Sequence, residues 1–260
     1  MQVTPLTSEN QAAALAYLRA MPYRNALPLS NATQLRTACD VLVAQEHGRI
    51  FGVASTYHDL PIANLTFAAE SSAIVGALIT ALAERNTRLR EGIVWSLLPS
   101  DRAVQLAQHV QLVAAETEYQ MVVEPEQLKV SLRHAPRRLI EADVPQMNVL
   151  AVTAGLEVWH QSALALGPAF GCFEGTQLVA MAATHFITPE VIEIGHVATH
   201  PAFRRRGYAA ACTSALTQAA FALAPRVFLM VLEHNTAALA AYKQLGFRVL
   251  DRMRMAQFRL

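Results

Sequence analysis

EIGHVATHPAFRRRGYAA, residues 193–210, runs from an apolar strand into a turn rich in proline and arginine and then directly into a helix. Gly207, followed by the small Ala209 and Ala210, places unencumbered amides at that helix start. Unbonded N–H donors and the positive end of the helix dipole attract phosphate there. Arg204, Arg205 and Arg206 add positive charge immediately before it. Three consecutive arginines alone would read as a solvated face, and it is the flanking strand and helix that turn them into a candidate anion site.

Working outward, the second half reads as strands at 170–173, 179–186 and 191–199, a helix from 207, a strand at 227–232, a helix from 235 and a closing strand at 252–258. The first half has a helix over 10–20, strands at 41–45, 50–57 and 63–68, a helix over 71–85, a strand at 93–98, a helix over 101–110 and a strand at 118–123. The order is duplicated. A shift of 134 positions, which carries Asp101 onto Asn235, also lays Ala103 on Ala237, Ala107 on Ala241 and Met121 on Met255. Glu124, Pro125, Glu126 and Lys129 interrupt the apolar pattern and mark a linker over 124–129. The expected architecture is α/β (α+β): two tandem modules, 1–128 and 131–260, each a mixed, mostly antiparallel sheet flanked by helices.

Arg204-x-x-Gly207-x-Ala209 between strand and helix resembles the acyl-CoA pyrophosphate loop of the Gcn5-related N-acetyltransferase (GNAT) superfamily. That family also has an Asn after the next strand, a Tyr in the following short helix and a Gly-Phe closing it. Here HNTAALAAYKQLGF supplies Asn235, Tyr242 and Gly246-Phe247. The resemblance covers 131–260 and, less specifically, extends to glycine N-acyltransferase-like members with a degenerate first module. In the first half the corresponding helix start is Glu70-Ser71-Ser72, without arginines or glycine, and Tyr242 and Asn235 fall on Gln108 and Asp101. That module is expected to be catalytically silent and to wall one side of an acceptor cleft.

The resemblance implies transfer of an acetyl group from acetyl-CoA to a primary amine by direct attack in a ternary complex. An aliphatic amine of pKa about 10 arrives as ammonium, so a buried carboxylate is a sensible base. Glu193, eleven positions before Arg204, stands where the histone acetyltransferase branch carries its base. Tyr242 resembles the general acid that protonates the leaving thiolate. The acyl-CoA-binding set is Val197, Ala198, Thr199, Arg204, Arg205, Arg206, Gly207, Tyr208, Ala209, Ala210 and Asn235. A bulge in the strand carrying Val197, Ala198 and Thr199 would leave backbone N–H groups for pantetheine and the thioester oxygen. Asn235 also serves as an ordinary helix cap. Cys212 lies on an apolar helix face and is not expected to carry an acyl group, and no histidine pair has metal-ligand spacing.

Composition sets the remaining bounds. With 53% hydrophobic and 16% charged residues the chain is a globular protein, and its net charge of +1 gives no electrostatic footprint for nucleic acid or an acidic membrane. Residues 207–225 carry no charge, but Thr213, Ser214, Thr217 and Gln218 read as the polar side of a helix whose other side is apolar. Three scattered cysteines and the absence of a basic, apolar leader point to the cytoplasm, and the chain is expected as a monomer or homodimer, between which the sequence does not choose. Two other readings stay open: longer acyl donors, if Ala180, Ala182 and Ala183 leave room beyond the thioester, and a non-catalytic acyl-CoA sensor. The acceptor is not legible, although 159–170 is a candidate acceptor loop.

Overall fold

The structure is a computed structural model that describes residues 1–156, 159 and 163–260. The first half comprises β1 (Gln2–Pro5), α1 (Gln11–Arg19), α2 (Ala26–Ala32), β2 (Cys39–Glu46), β3 (Arg49–Tyr57), β4 (Ala63–Asn64), β5 (Thr66–Ala69), α3 (Ser72–Arg85), β6 (Val94–Pro99), α4 (Ser100–Leu106) and β7 (Gln111–Val123). The second comprises β8 (Arg137–Arg138), α5 (Val144–Ala154), α6 (Ala163–Leu166), β9 (Ala169–Glu174), β10 (Gln177–Ile187), β11 (Ile192–Thr199), α7 (Tyr208–Ala220), β12 (Val227–Leu232), α8 (Thr236–Gln244) and β13 (Arg248–Arg259). The fold is α+β, with the repeated order of elements that the sequence suggests.

Two compact units divide the chain: Met1–Glu118 with Asp251–Leu260, and Tyr119–Leu250. The closing strand, assigned by sequence to the second half, therefore belongs with the first unit. Its side chains explain why. Met253–Phe258 pairs antiparallel with Val94–Pro99 of β6, and Phe258 is fully buried in a core with Val94, Leu98 and Leu106. Conversely, the end of β7 supplies Met121 and Val123 to the core of the second unit. The final strands of the two halves are thus exchanged. Glu124–Lys129, expected as a linker, belongs to the second unit: Pro125–Gln127 forms a 3-10 turn, and Lys129 N–H donates to Leu245 O at the end of α8.

In the first unit β1-β2-β3-β5 form an antiparallel sheet, and β4 pairs parallel with β6. In the second the strand order is β7-β12-β11-β10-β9-β8. β10 is buried almost throughout because α7 packs with Val179, Ala180 and Ala182 on one side, while α5 packs with Met181 and Ala183 on the other. Truncating Phe258 tests the exchanged strand. Phe258→Ala is expected to destabilise the chain by about 3–5 kcal/mol, read from urea unfolding, and a loss below about 1 kcal/mol would contradict its core position.

Sequence periodicity does not identify α2 or α5. In α2, Pro28 interrupts the helical signal. α5 exposes Val149 and Val152, which blurs its apolar stripe; it ends at Gly155, whose φ of +79° suits a left-handed cap. In α7, Thr213, Ser214 and Thr217 are buried, as in a helix packed inside its unit, and the hydroxyls of Ser214 and Thr217 each bond to a carbonyl within the helix. Among the described residues no helix is long and apolar enough to cross a membrane.

Candidate active site

The site is built on β11. Its antiparallel register with β10 breaks twice: His196 and Val197 stand opposite Ala182 alone, and His185 is the extra residue between Thr184 and Phe186 on β10. His196 takes up the first irregularity with a φ of +45°. On the other edge, β11 pairs parallel with β12 only over Ile192–Ile194, opposite Val227–Leu229. Beyond Ile194 the two strands part, so the segment with Val197, Ala198 and Thr199 has an edge without a strand partner among the described residues. Thr199 Oγ1 is buried there with no hydrogen-bond partner among the described residues.

β11 leads through Pro201–Phe203, a 3-10 turn, into the arginine loop. Arg205 has a φ of +64° and Gly207 a φ of +91°, and these two left-handed residues turn the chain into α7. The first helical bond is Ala211 N–H to Gly207 O, so the N–H groups of Tyr208, Ala209 and Ala210 precede it, and no side chain caps the helix. Arg205 and Arg206 are exposed beside this start, with the Arg206 guanidinium over the Phe203 ring. Arg204, exposed as well, folds back along the surface. Its Nε donates to Thr199 O and its Nη2 to Ala154 O, fastening the loop to β11 and α5. Tyr208 is buried, and its hydroxyl donates to Glu174, a bond that raises the phenol pKa.

Residues 130–136 contribute to the site without any signal in the sequence pattern. His134 stacks on Tyr208 at 3.7 Å and its Nε2 lies 2.9 Å from Arg206 O. Arg133 reaches Gly207, where an added Cβ would stand 3.0 Å from Arg133 Cδ. A fourth arginine therefore adjoins the helix start.

Glu193 is buried at 4% exposure, and its Oε1 lies 2.8 Å from Nδ1 of His185 across the irregular β10–β11 pair. The His185 ring covers Gly195 so closely that a Cβ there would stand 2.2 Å from Nε2. His196 meets His185 edge-on at 4.1 Å, and Trp159 meets His196 at 5.0 Å. Trp159 is fixed by its indole N–H donating to Asn148 Oδ1. Of the candidate acceptor loop, residues 160–162 lie outside the described residues.

Asn235 caps α8 by accepting from Ala238 N–H, the ordinary helix-capping role. Tyr242 lies on α8 in the same core as Tyr208, Ile194 and Val231; burial pushes its phenol up to about 12. Its hydroxyl has no hydrogen-bond partner among the described residues. Cys212 donates to Cys172 Sγ at 3.5 Å, and that bond with burial raises its thiol well above the ordinary range. Ala180, Ala182 and Ala183 are fully buried in the two cores beside β10.

A family model described as Acetyltransferase (GNAT) family matches residues 139–247. No curated relative matches the sequence. Among solved structures, a Drosophila protein superposes with a TM-score of 0.70 at 14% identity, covering 98% of each chain. A GCN5-related N-acetyltransferase from Kribbella flavida gives 0.66 at 19% identity, over 92% of this chain and 95% of its own. A tandem GNAT protein from the clavulanic acid biosynthesis pathway gives 0.63 at 12%, over 99% and 97%. At these identities the likeness concerns the fold.

Proposed function

We propose that this chain, which belongs to the GNAT superfamily of acetyltransferases, moves an acetyl group from acetyl-CoA to a primary amine by direct attack in a ternary complex. The observation that carries the reading is the splayed edge of β11 leading directly to the uncapped start of α7. Extended pantetheine needs amide partners and pyrophosphate needs N–H donors with positive charge, and one continuous segment offers both. Tyr208, Ala209 and Ala210 N–H with Arg205, Arg206 and Arg133 hold the pyrophosphate. Backbone groups of Val197, Ala198 and Thr199 hold the pantetheine and polarise the thioester oxygen. The orphaned Thr199 hydroxyl fits a polar ligand there, while Arg204 holds the loop in shape.

The chemistry follows from where charge must go. The acceptor loses a proton to a base on the Glu193 side of the site, its lone pair attacks the thioester carbon, a C–N bond forms and the C–S bond breaks. The departing sulfur takes its proton from Tyr242, and the second proton, shed by the nitrogen as it becomes an amide, restores the phenol. An amine panel with acetyl-CoA and longer donors, read by released thiol, tests this reading. Amine-dependent thiol release supports it, whereas CoA binding without release for any amine would make the chain a sensor.

One acyl-CoA is expected per chain. In the first unit, the start of α3 is closed by Ser72 Oγ bonding to Gln108 Oε1 and lying 2.8 Å from His109 Nε2, and His109 covers Gly76. Glu70 adds a carboxylate, paired with Arg49 at 3.1 Å. Calorimetric titration with CoA should give a stoichiometry of one, and a value of two would show that the first unit binds as well.

A further inference from the structure

We infer that His185 is the group that receives the acceptor's proton, and that Glu193 is the residue that positions it; the inference rests on the acyl-transfer reading above. Glu193 is sealed at 4% exposure, whereas the His185 side chain is 37% exposed. A base must reach the proton it takes, either directly or through one water. With Nδ1 facing the Glu193 carboxylate at 2.8 Å, a neutral imidazole carries its proton on Nδ1 and leaves the Nε2 lone pair open. That Nε2 lies over Gly195, the residue at which β11 leaves β12. It has no hydrogen-bond partner among the described residues.

Three features of the backbone bring this about. The bulge on β10 places His185 as the extra residue beside Glu193, the bulge on β11 turns His196 aside, and Gly195 has no Cβ to push the imidazole away. Among the described residues the other titratable group against the ring is His196, edge-on at 4.1 Å. In the reaction a proton passes from the acceptor's ammonium nitrogen to Nε2, and the lone pair this frees makes the attack. The resulting imidazolium, still bonded through Nδ1–H to Glu193, is offset by that buried carboxylate. The carboxylate keeps its charge throughout.

The experiment compares His185→Gln, His185→Ala, Glu193→Gln and Gly195→Ala in the full chain, with CoA calorimetry beside steady-state thiol release. His185→Gln should lower kcat about 100-fold and leave CoA affinity within about twofold, which also shows that the variant is folded. Added imidazole should restore part of the His185→Ala rate and none of the Glu193→Gln rate, where His185 still occupies its place. Gly195→Ala keeps every chemical group but forces the ring from Nε2's position, so it should share the kcat loss. Wild-type kcat in His185→Gln would overturn this inference alone. Absence of turnover in the unaltered chain with CoA bound would instead overturn the acyl-transfer reading, and this inference with it.

Discussion

Gly207→Glu is expected to abolish CoA binding in a chain that remains folded. Gly207 sits ahead of α7 with a φ of +91°, and its amide side faces a start that no side chain caps. A carboxylate there would occupy the place of the pyrophosphate and pair with Arg133, whose Cδ is 3.0 Å from the position of the added Cβ. Two like charges about 4 Å apart near a protein surface repel by about 4 kcal/mol, which is roughly a thousandfold in affinity. Gly207→Ala is the control, because it carries only the cost of an L-residue at positive φ, about 1–2 kcal/mol. Calorimetry should find weakened binding in the alanine variant and none in the glutamate variant. Equal affinities in the two would assign the effect to backbone strain, and unchanged affinity in Gly207→Glu would move the pyrophosphate elsewhere.

That loop is readable in the sequence because its chemistry is local. A strand, a proline, three arginines and a glycine lie consecutively, and each constrains the backbone or the charge by its own identity. The base assembly is only half readable for the opposite reason. Glu193 stands out by its spacing from Arg204, but His185 reaches it only because each strand of the β10–β11 pair carries an extra residue. Regular alternation does not encode such a slip in register. Arg133 and His134 carry no periodic signal, because they lie outside any helix or strand and join the site by tertiary packing alone.

The exchange of β7 and β13 is hidden by a different degeneracy. Ala256 and Phe258 are buried on one face of the closing strand and Met253 on the other, a pattern that reads the same whichever neighbour the strand pairs with. The apolar pattern therefore specifies a closing strand without specifying its unit. The 134-position correspondence reinforces the simpler boundary, since repeated element order says nothing about which copy receives the last strand.

Tyr242→Phe is expected to lower kcat about 100-fold while CoA affinity and unfolding midpoint stay near those of the unaltered chain. Burial raises the phenol to about 12, so it remains protonated across the working range, as a donor to the leaving sulfur must be. A thiolate developing beside a buried phenol would itself be poorly solvated, which would make a positioned donor valuable as the C–S bond lengthens. The ring's packing, 6.1 Å from Phe247 between centroids, survives in phenylalanine. The hydroxyl has no protein partner among the described residues, so its removal strands no buried group and costs little stability. The raised phenol also fixes the sign of the pH dependence: ionisation of Tyr242 can remove activity only as pH rises toward 12, so an alkaline limb well below that must belong to another group. If Tyr242→Phe turns over at the unaltered rate, the hydroxyl is incidental to packing and the sulfur is protonated by solvent.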